Sequence, residues 1–239
     1  MQEMILHLCR QLRLGSHIAE FYPEIEADSH EAFLLQLLTK AVASRELERQ
    51  NRYIQQAGFE VMKRLETFDF SDVTLPEAVT PELLSTCQFV ENKQNLILYG
   101  RPGTGKTHLA TSLGVEACRK GYRTLYFKTS RLVNLLSEAK AANTEARFWK
   151  KLSQADLLIL DEWGYVPFER IGTQMLFEAI SDCYEKRSVI ITTNLPFDEW
   201  NTIFYDQKLT TAILDRLVHH GLLLMHEGQS YRIRHSKMQ

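Results

Sequence analysis

The sequence predicts an α/β protein in which a parallel sheet lies between layers of helices, preceded by a small all-α domain. Three observations predict it. Past residue 80, short apolar runs alternate with segments of helical spacing, the pattern of a parallel sheet covered on both faces. A glycine-rich segment at 100–107 falls between one such run and one such helical segment. Before residue 66 the apolar residues repeat at helical spacing instead.

In the first part, Ile5, Leu8, Cys9 and Leu12 share one helical face, and Phe33, Leu34, Leu37, Leu38 and Ala41 share another. Tyr22-Pro23 separates the two, and a polar, Arg-, Glu- and Gln-rich helix continues over 42–56 to Gly58. The stretch 68–76 has no sustained period. These features predict a helical N-terminal domain over 1–66, a linker over 67–80 and an α/β domain over 81–239. Strands are expected at 95–99, 122–127, 156–160, 189–193 and 222–226, giving a five-stranded parallel sheet. Helices are expected at 105–120, 131–142, 145–152, 173–186, 197–203 and 209–219.

Composition excludes several classes. At 239 residues, 44% hydrophobic and 24% charged, the chain can bury a sizeable core, so disorder and rod-like folds are set aside. No apolar stretch approaches the roughly 20 residues a membrane helix needs, and Glu3, His7, Arg10 and Arg13 interrupt any signal-peptide core, so a cytoplasmic protein is expected. Cys9, Cys87, Cys118 and Cys183 have neither metal-ligand nor disulfide-framework spacing. Charge is uneven: residues 1–80 hold eight Lys/Arg against thirteen Asp/Glu, whereas 119–151 hold nine basic residues against Glu138 and Glu145. That surplus of seven could meet phosphates.

The segment Gly100-Arg101-Pro102-Gly103-Thr104-Gly105-Lys106-Thr107 fits GxxxxGK[ST], and its strand-before, helix-after context supports a phosphate-binding loop. Its glycines let backbone amides and the next helix's N-terminus face phosphate oxygens, with Lys106 reaching the β- and γ-phosphates. The hydroxyl of Thr107 is expected on Mg²⁺, and His108 continues the loop into the helix. The apolar run 157–160 ends in Asp161-Glu162; Asp161 is assigned to the metal and Glu162 to activation of the attacking water. Asn194 ends the next apolar run, where a polar side chain could face the γ-phosphate, though an Asn before Leu-Pro is also an ordinary turn residue. ATP and Mg²⁺ are the expected cofactors.

Taken together, GRPGTGKTHLA, LLILDEWGYVPF, SVIITTNLPFDEW and ILDRLVHHG resemble the AAA+ ATPases, in particular the IstB/DnaC-like group of transposition helpers and helicase loaders. KRLETFDF at 63–70 resembles the start of the linker in IstB proteins and favours that branch. The resemblance implies an AAA+ P-loop NTPase core that hydrolyses ATP, Asn194 as first sensor, and Arg216 reaching the nucleotide of a neighbouring subunit in a homo-oligomer. By itself Arg216 also fits a surface salt bridge, for instance with Asp215. Arg232 and Arg234 are candidates for a second sensor.

The resemblance further implies duplex DNA, contacted without sequence specificity, and the transposase of the same insertion sequence as partners, with a bacterial cytoplasmic, DNA-associated setting. Lys128, Arg131, Lys140, Arg147, Lys150 and Lys151 fall in the helical region that faces nucleic acid in this group. Phe148 and Trp149 are expected to pack inward. The N-terminal part departs from the family pattern, because Gln50, Gln55, Gln56 and Glu60 dilute its positive charge, and protein docking suits an acidic module better. Alternatives are a DnaC-like helicase loader, a P-loop small-molecule kinase, and a nucleotide switch that hydrolyses poorly.

Overall fold

The structure is a computed structural model that describes residues 1–231 apart from Ser16, Val166 and Tyr205. The chain divides into two compact units, Met1–Arg52 and Tyr53–Gln239. The division falls within one long helix.

The first unit contains α1 (Gln2–Gln11), α2 (Ile18–Phe21) and most of α3 (His30–Ala57). The Ser29 hydroxyl caps α3 by accepting from the Ala32 amide at 3.1 Å, satisfying one of the amides a helix start leaves over. The Tyr22-Pro23 break appears as a 3₁₀ turn over Tyr22–Glu24. Cys9, Ile18 and Ala19 are buried, while Leu8, Leu12, Leu34, Leu35, Leu38 and Val42 are exposed. The helical reading of this part holds, but its apolar stripes are only partly covered.

The second unit opens with a segment expected as linker. Leu65 is buried, and Phe68, Phe70, Val73 and Leu75 pack on an apolar cluster that includes Leu96, Leu98, Leu109, Leu113 and Ile190. Residues 73 and 74 form β1 (Val73–Thr74), paired antiparallel with the last strand through Val73↔His226 and Thr74↔Met225. Residues 67–80 therefore belong to the folded body, and the sheet has six strands where five were expected. A two-residue strand is too short to show alternation, so no period marks it.

Short helices α4 (Pro81–Ser85) and α5 (Gln88–Glu91) follow. Thr80 caps α4 by accepting from the Leu83 amide, with Pro81 at the first helical position, where its missing N–H costs nothing. The chain then alternates: β2 (Asn95–Gly100), α6 (Lys106–Arg119), β3 (Thr124–Lys128), α7 (Thr129–Ala141), α8 (Glu145–Ser153), β4 (Leu157–Trp163), α9 (Arg170–Cys183), β5 (Ser188–Thr193), a 3₁₀ turn over Phe197–Thr202, α10 (Gln207–His219) and β6 (Gly221–His226). The strand order is β1-β6-β2-β5-β4-β3, parallel throughout except at β1.

Strands β2, β4 and β5 are buried almost throughout, as unbroken runs such as Leu157, Leu158, Ile159 and Leu160 require. One apolar cluster gathers α7, α9 and α10 around Leu132, Leu176, Trp200 and Ile213; the other gathers α6 around Leu109 and Leu113. Phe148 and Trp149 pack against the first, as expected. Residues 197–203, expected as an α-helix, wind as a 3₁₀ turn that buries Trp200 against Trp163 at 5.3 Å between ring centroids.

Candidate functional site: the edge where three strands end

Register brings the polar ends of the central strands together. Tyr99 pairs with Thr193, so Gly100 and Asn194 leave the sheet side by side, and Leu160 pairs with Ile191, so Asp161 and Glu162 emerge next to them. Ligands of open parallel sheets bind at this carboxyl edge.

The glycine-rich loop follows β2. Gly105 sits at φ +90°, a left-handed conformation open to glycine, and caps α6, whose first residue is Lys106. Gly100 is required for space: a Cβ there would stand 2.3 Å from the carbonyl oxygen of His226. Lys106 is only 6% exposed, and its Nζ donates to the carbonyls of Gly100 at 2.6 Å and Arg101 at 2.7 Å, so the loop curls around the ammonium. Thr104 Oγ1 donates to the Arg101 carbonyl at 2.8 Å. Arg101 and Pro102 are exposed at the loop's crown.

Two residues that sequence reasoning missed hold this loop. His226, 2% exposed, lies with Nδ1 3.0 Å from the Thr104 carbonyl. A carbonyl only accepts, so Nδ1 carries the proton. Burial lowers the His226 pKa to about 4, keeping the ring neutral, and Nε2 is buried with no partner among the described residues. Phe68 meets His108 and His226 edge-on, at 5.3 and 6.1 Å between centroids, and its ring lies 3.0 Å from where a Cβ of Gly105 would be. The His108 Nε2 lies 3.3 Å from the Arg64 carbonyl, and burial lowers its pKa. The signal for His226 is a polar residue closing the apolar run GLLLM, which alone names no role.

Asp161 is 1% exposed and held by hydroxyls. Its Oδ1 accepts from Thr107 Oγ1 at 3.0 Å and from Thr192 Oγ1; its Oδ2 accepts from the Tyr126 phenol at 2.6 Å. Its backbone carbonyl accepts from Thr129 Oγ1 at 2.8 Å. Burial, followed by the charge of Asp161, raises the Tyr126 pKa, so the phenol stays a donor. Thr107 and Asp161 thus meet as predicted, whereas Tyr126 and Thr192 carry no sequence signal.

Glu162 departs from strand geometry. It sits at φ +57° in a bulge between Leu160 and Trp163, and its amide donates to Thr192 Oγ1 at 3.0 Å. A left-handed conformation at a non-glycine residue beside a candidate site fits a functional constraint. Lys128 approaches Glu162 Oε1 at 3.4 Å and Glu60 Oε2 at 3.5 Å, and the Glu162 charge raises the lysine's pKa. Asn194, beside the bulge, has a buried Oδ1 without a hydrogen-bond partner among the described residues. Such an atom at a candidate site marks a position for a polar ligand or water.

The structure does not bring Arg216 to this edge. Asn95 Nδ2 donates to the carbonyls of Arg216 at 3.4 Å and Leu217 at 3.1 Å, placing that turn of α10 at the start of β2. Five residues of strand, roughly 16 Å at ~3.3 Å each, separate it from the loop. The guanidinium lies over the Phe177 ring at 4.9 Å and donates to the Ala212 carbonyl at 2.8 Å. No bond to Asp215 is formed. Arg232 and Arg234 lie outside the described residues.

Of the six cations read as DNA contacts, Lys128 stands apart between Glu162 and Glu60, and Arg131 pairs with Glu138 at 3.5 Å. Lys140, Arg147, Lys150 and Lys151 are exposed. Arg147, Lys150 and Lys151 share one face of α8, opposite Phe148, Trp149 and Leu152, because residues three and four apart neighbour each other on a helix. In the first unit Arg49 pairs with Glu46 at 2.7 Å.

This sheet order, with the loop after β2 and the carboxylates at the end of β4, defines an AAA+ P-loop ATP-binding protein. A family model, the IstB-like ATP binding protein, matches residues 13–239, and the chain belongs to that family. It is 36% identical over 237 residues to a protein of insertion sequence IS21 from Pseudomonas aeruginosa, covering 98% of this chain and 89% of the relative. It is 35% identical over 249 residues to one of insertion sequence IS5376 from Geobacillus stearothermophilus, covering 100% and 97%. Both are named as inferred ATP-binding proteins of their insertion sequences. Among solved structures, DnaI matches with a TM-score of 0.56 at 18% identity, covering 71% of this chain and 90% of that one. DnaA from Aquifex aeolicus bound to AMPPCP matches at 0.54 and 23%, covering 72% and 52%. These share the fold. Among the described residues no helix is long and apolar enough to cross a membrane.

Proposed function

We propose that this protein is the ATP-hydrolysing helper of an insertion sequence, assembling on duplex DNA as a homo-oligomer and recruiting its transposase. The place of Arg216 carries the proposal. Held at the start of β2, it lies too far along the strand to serve its own glycine-rich loop, so the loop it serves is a neighbour's, reached by leaving the Phe177 ring and the Ala212 carbonyl. An arginine supplied from the next subunit makes turnover depend on assembly.

At the nucleotide, Lys106 exchanges its loop carbonyls for β- and γ-phosphate oxygens, and Asn194 turns its buried amide toward the γ-phosphate. Thr107 and Asp161 offer a hydroxyl and a carboxylate 3.0 Å apart, a hard-oxygen pair suited to Mg²⁺, which when bound neutralises charge on the phosphates. Tyr126 and Thr192 keep Asp161 oriented. Glu162 takes a proton from water as the water oxygen bonds to the γ-phosphorus and the bond to the ADP oxygen breaks. Lys128 holds the Glu162 carboxylate in place until then.

The exposed face of α8, with Lys140 at the end of α7, supports duplex binding through phosphates, which gives affinity without sequence preference. Family membership favours the insertion-sequence role over helicase loading. The test is particle size with and without duplex DNA, with ATP or a non-hydrolysable analogue. Growth that needs both ligands, and is lost in Arg216→Ala, supports the proposal; a particle indifferent to both contradicts it.

A further inference from the structure

At the end of the sheet away from the nucleotide, two turns meet. One follows α9 and carries Tyr184 and Glu185; the other joins α10 to β6 and carries His220, next to His219 at the last residue of α10. One imidazole nitrogen from each histidine and one carboxylate oxygen of Glu185 all lie within 4.8 Å of one another. His220 Nε2 stands 3.6 Å from Glu185 Oε1, and the two imidazole rings are 4.2 Å apart between centroids.

We infer that Glu185, His219 and His220 form a binding site for a divalent transition metal of the zinc or cobalt class, with one coordination position left open. Two imidazoles and a carboxylate suit such ions, whereas calcium and magnesium prefer oxygen alone. Ligands around a tetrahedral ion stand roughly 3.3 Å apart for bonds near 2.0 Å, so small rotations of the exposed Glu185 and His219 toward the half-buried His220 close the set. Glu185 sits at φ +58°, a left-handed conformation uncommon for a non-glycine residue, and its carboxylate stands beside the end of α10.

An outer partner is present as well. The Tyr184 hydroxyl lies 2.7 Å from His219 Nδ1 and its ring stacks on that imidazole at 5.9 Å. When Nδ1–H is donated to the phenol oxygen, the Nε2 lone pair is left for the metal, the arrangement that orients ligating histidines generally. The site lies at the opposite end of the sheet from this chain's own glycine-rich loop, with the Tyr184 ring 6.0 Å from the Arg216 guanidinium, and its metal binding does not rest on the proposed function. A fourth ligand comes from water or from another chain.

The test uses the full chain and Co²⁺, whose visible absorption reports coordination, followed by displacement with Zn²⁺. One equivalent is expected to bind, with no sulfur-to-cobalt charge-transfer band, because all four cysteines are buried. Affinity falls at least tenfold in His219→Ala and in His220→Ala, and about tenfold in Tyr184→Phe, the range an outer-partner loss gives. His17→Ala, which removes the imidazole already held by Glu20 and Glu48, leaves binding unchanged. The inference is overturned by the lack of a saturable cobalt spectrum, by binding indifferent to His219 and His220, or by binding lost with His17.

Discussion

The Tyr126 phenol donates to Oδ2 of Asp161 at 2.6 Å, on the carboxylate whose other oxygen accepts from Thr107. A tyrosine in the middle of β3 thus sets the direction of the acid at the end of β4. Hydrogen bonds to a charged group contribute about 1.5–3 kcal/mol, so Tyr126→Phe should slow ATP turnover on the order of tenfold or more and raise the Mg²⁺ concentration needed for half-maximal rate. Steady-state ATPase assays across a Mg²⁺ series check both effects.

Glu162 and Lys128 should separate cleanly. Glu162→Gln keeps the shape of the side chain and removes the base; turnover should fall about a hundredfold or more while ATP affinity stays near the parent's. Lys128→Ala should alter turnover and leave DNA affinity alone, since its ammonium is engaged by Glu162 and Glu60. ATPase rates, nucleotide titrations and DNA binding on the same preparations check this.

Arg147, Lys150 and Lys151 should behave in the opposite way. Replacing all three by Ala should weaken duplex binding and flatten the plot of log affinity against log salt by about 2–3, near 0.9 for each phosphate that is no longer neutralised. Binding measured at several salt concentrations, on two unrelated sequences, should show the same weakening on both.

Acid should destabilise the protein through His226. Its folded pKa is lowered to about 4 by burial, against about 6.5 when unfolded. Above pH 6.5 both states are neutral and the group contributes nothing to the pH dependence. Between pH 6.5 and 4 the unfolded chain binds the extra proton, so stability falls as pH falls, by up to about 3 kcal/mol. Urea unfolding at pH 7 and pH 4.5 should show this slope in the parent and a shallower one in His226→Gln.

How much of this is legible in the sequence follows from where each signal is stored. The loop at 100–107 and the pair Asp161-Glu162 are readable because spacing and flanking apolar runs are local. Tyr126, Thr192 and His226 are not, because each acts across the sheet, on a partner 31 or more residues distant. The bulge at Glu162 is hidden too, since a one-residue insertion leaves the apolar pattern intact. Lys128 reads as part of a basic surface because its charge is visible and Glu60 is distant in sequence. Residues 67–80 read as a linker because their partner strand, β6, lies some 150 residues away and supplies the pairing.

The central claim is that each ATP is served by two chains, Lys106 and Glu162 from one and Arg216 from the next. The most direct measurement mixes two inactive variants, Lys106→Ala and Arg216→Ala, in equal amounts on duplex DNA. Each alone should hydrolyse ATP at background rate. In the mixture some junctions pair an intact loop with an intact arginine, and about a quarter of parental activity should return if subunits assort at random. An Arg216→Ala protein that hydrolyses at the parental rate, or a mixture of mixed oligomers that stays silent, would contradict the claim.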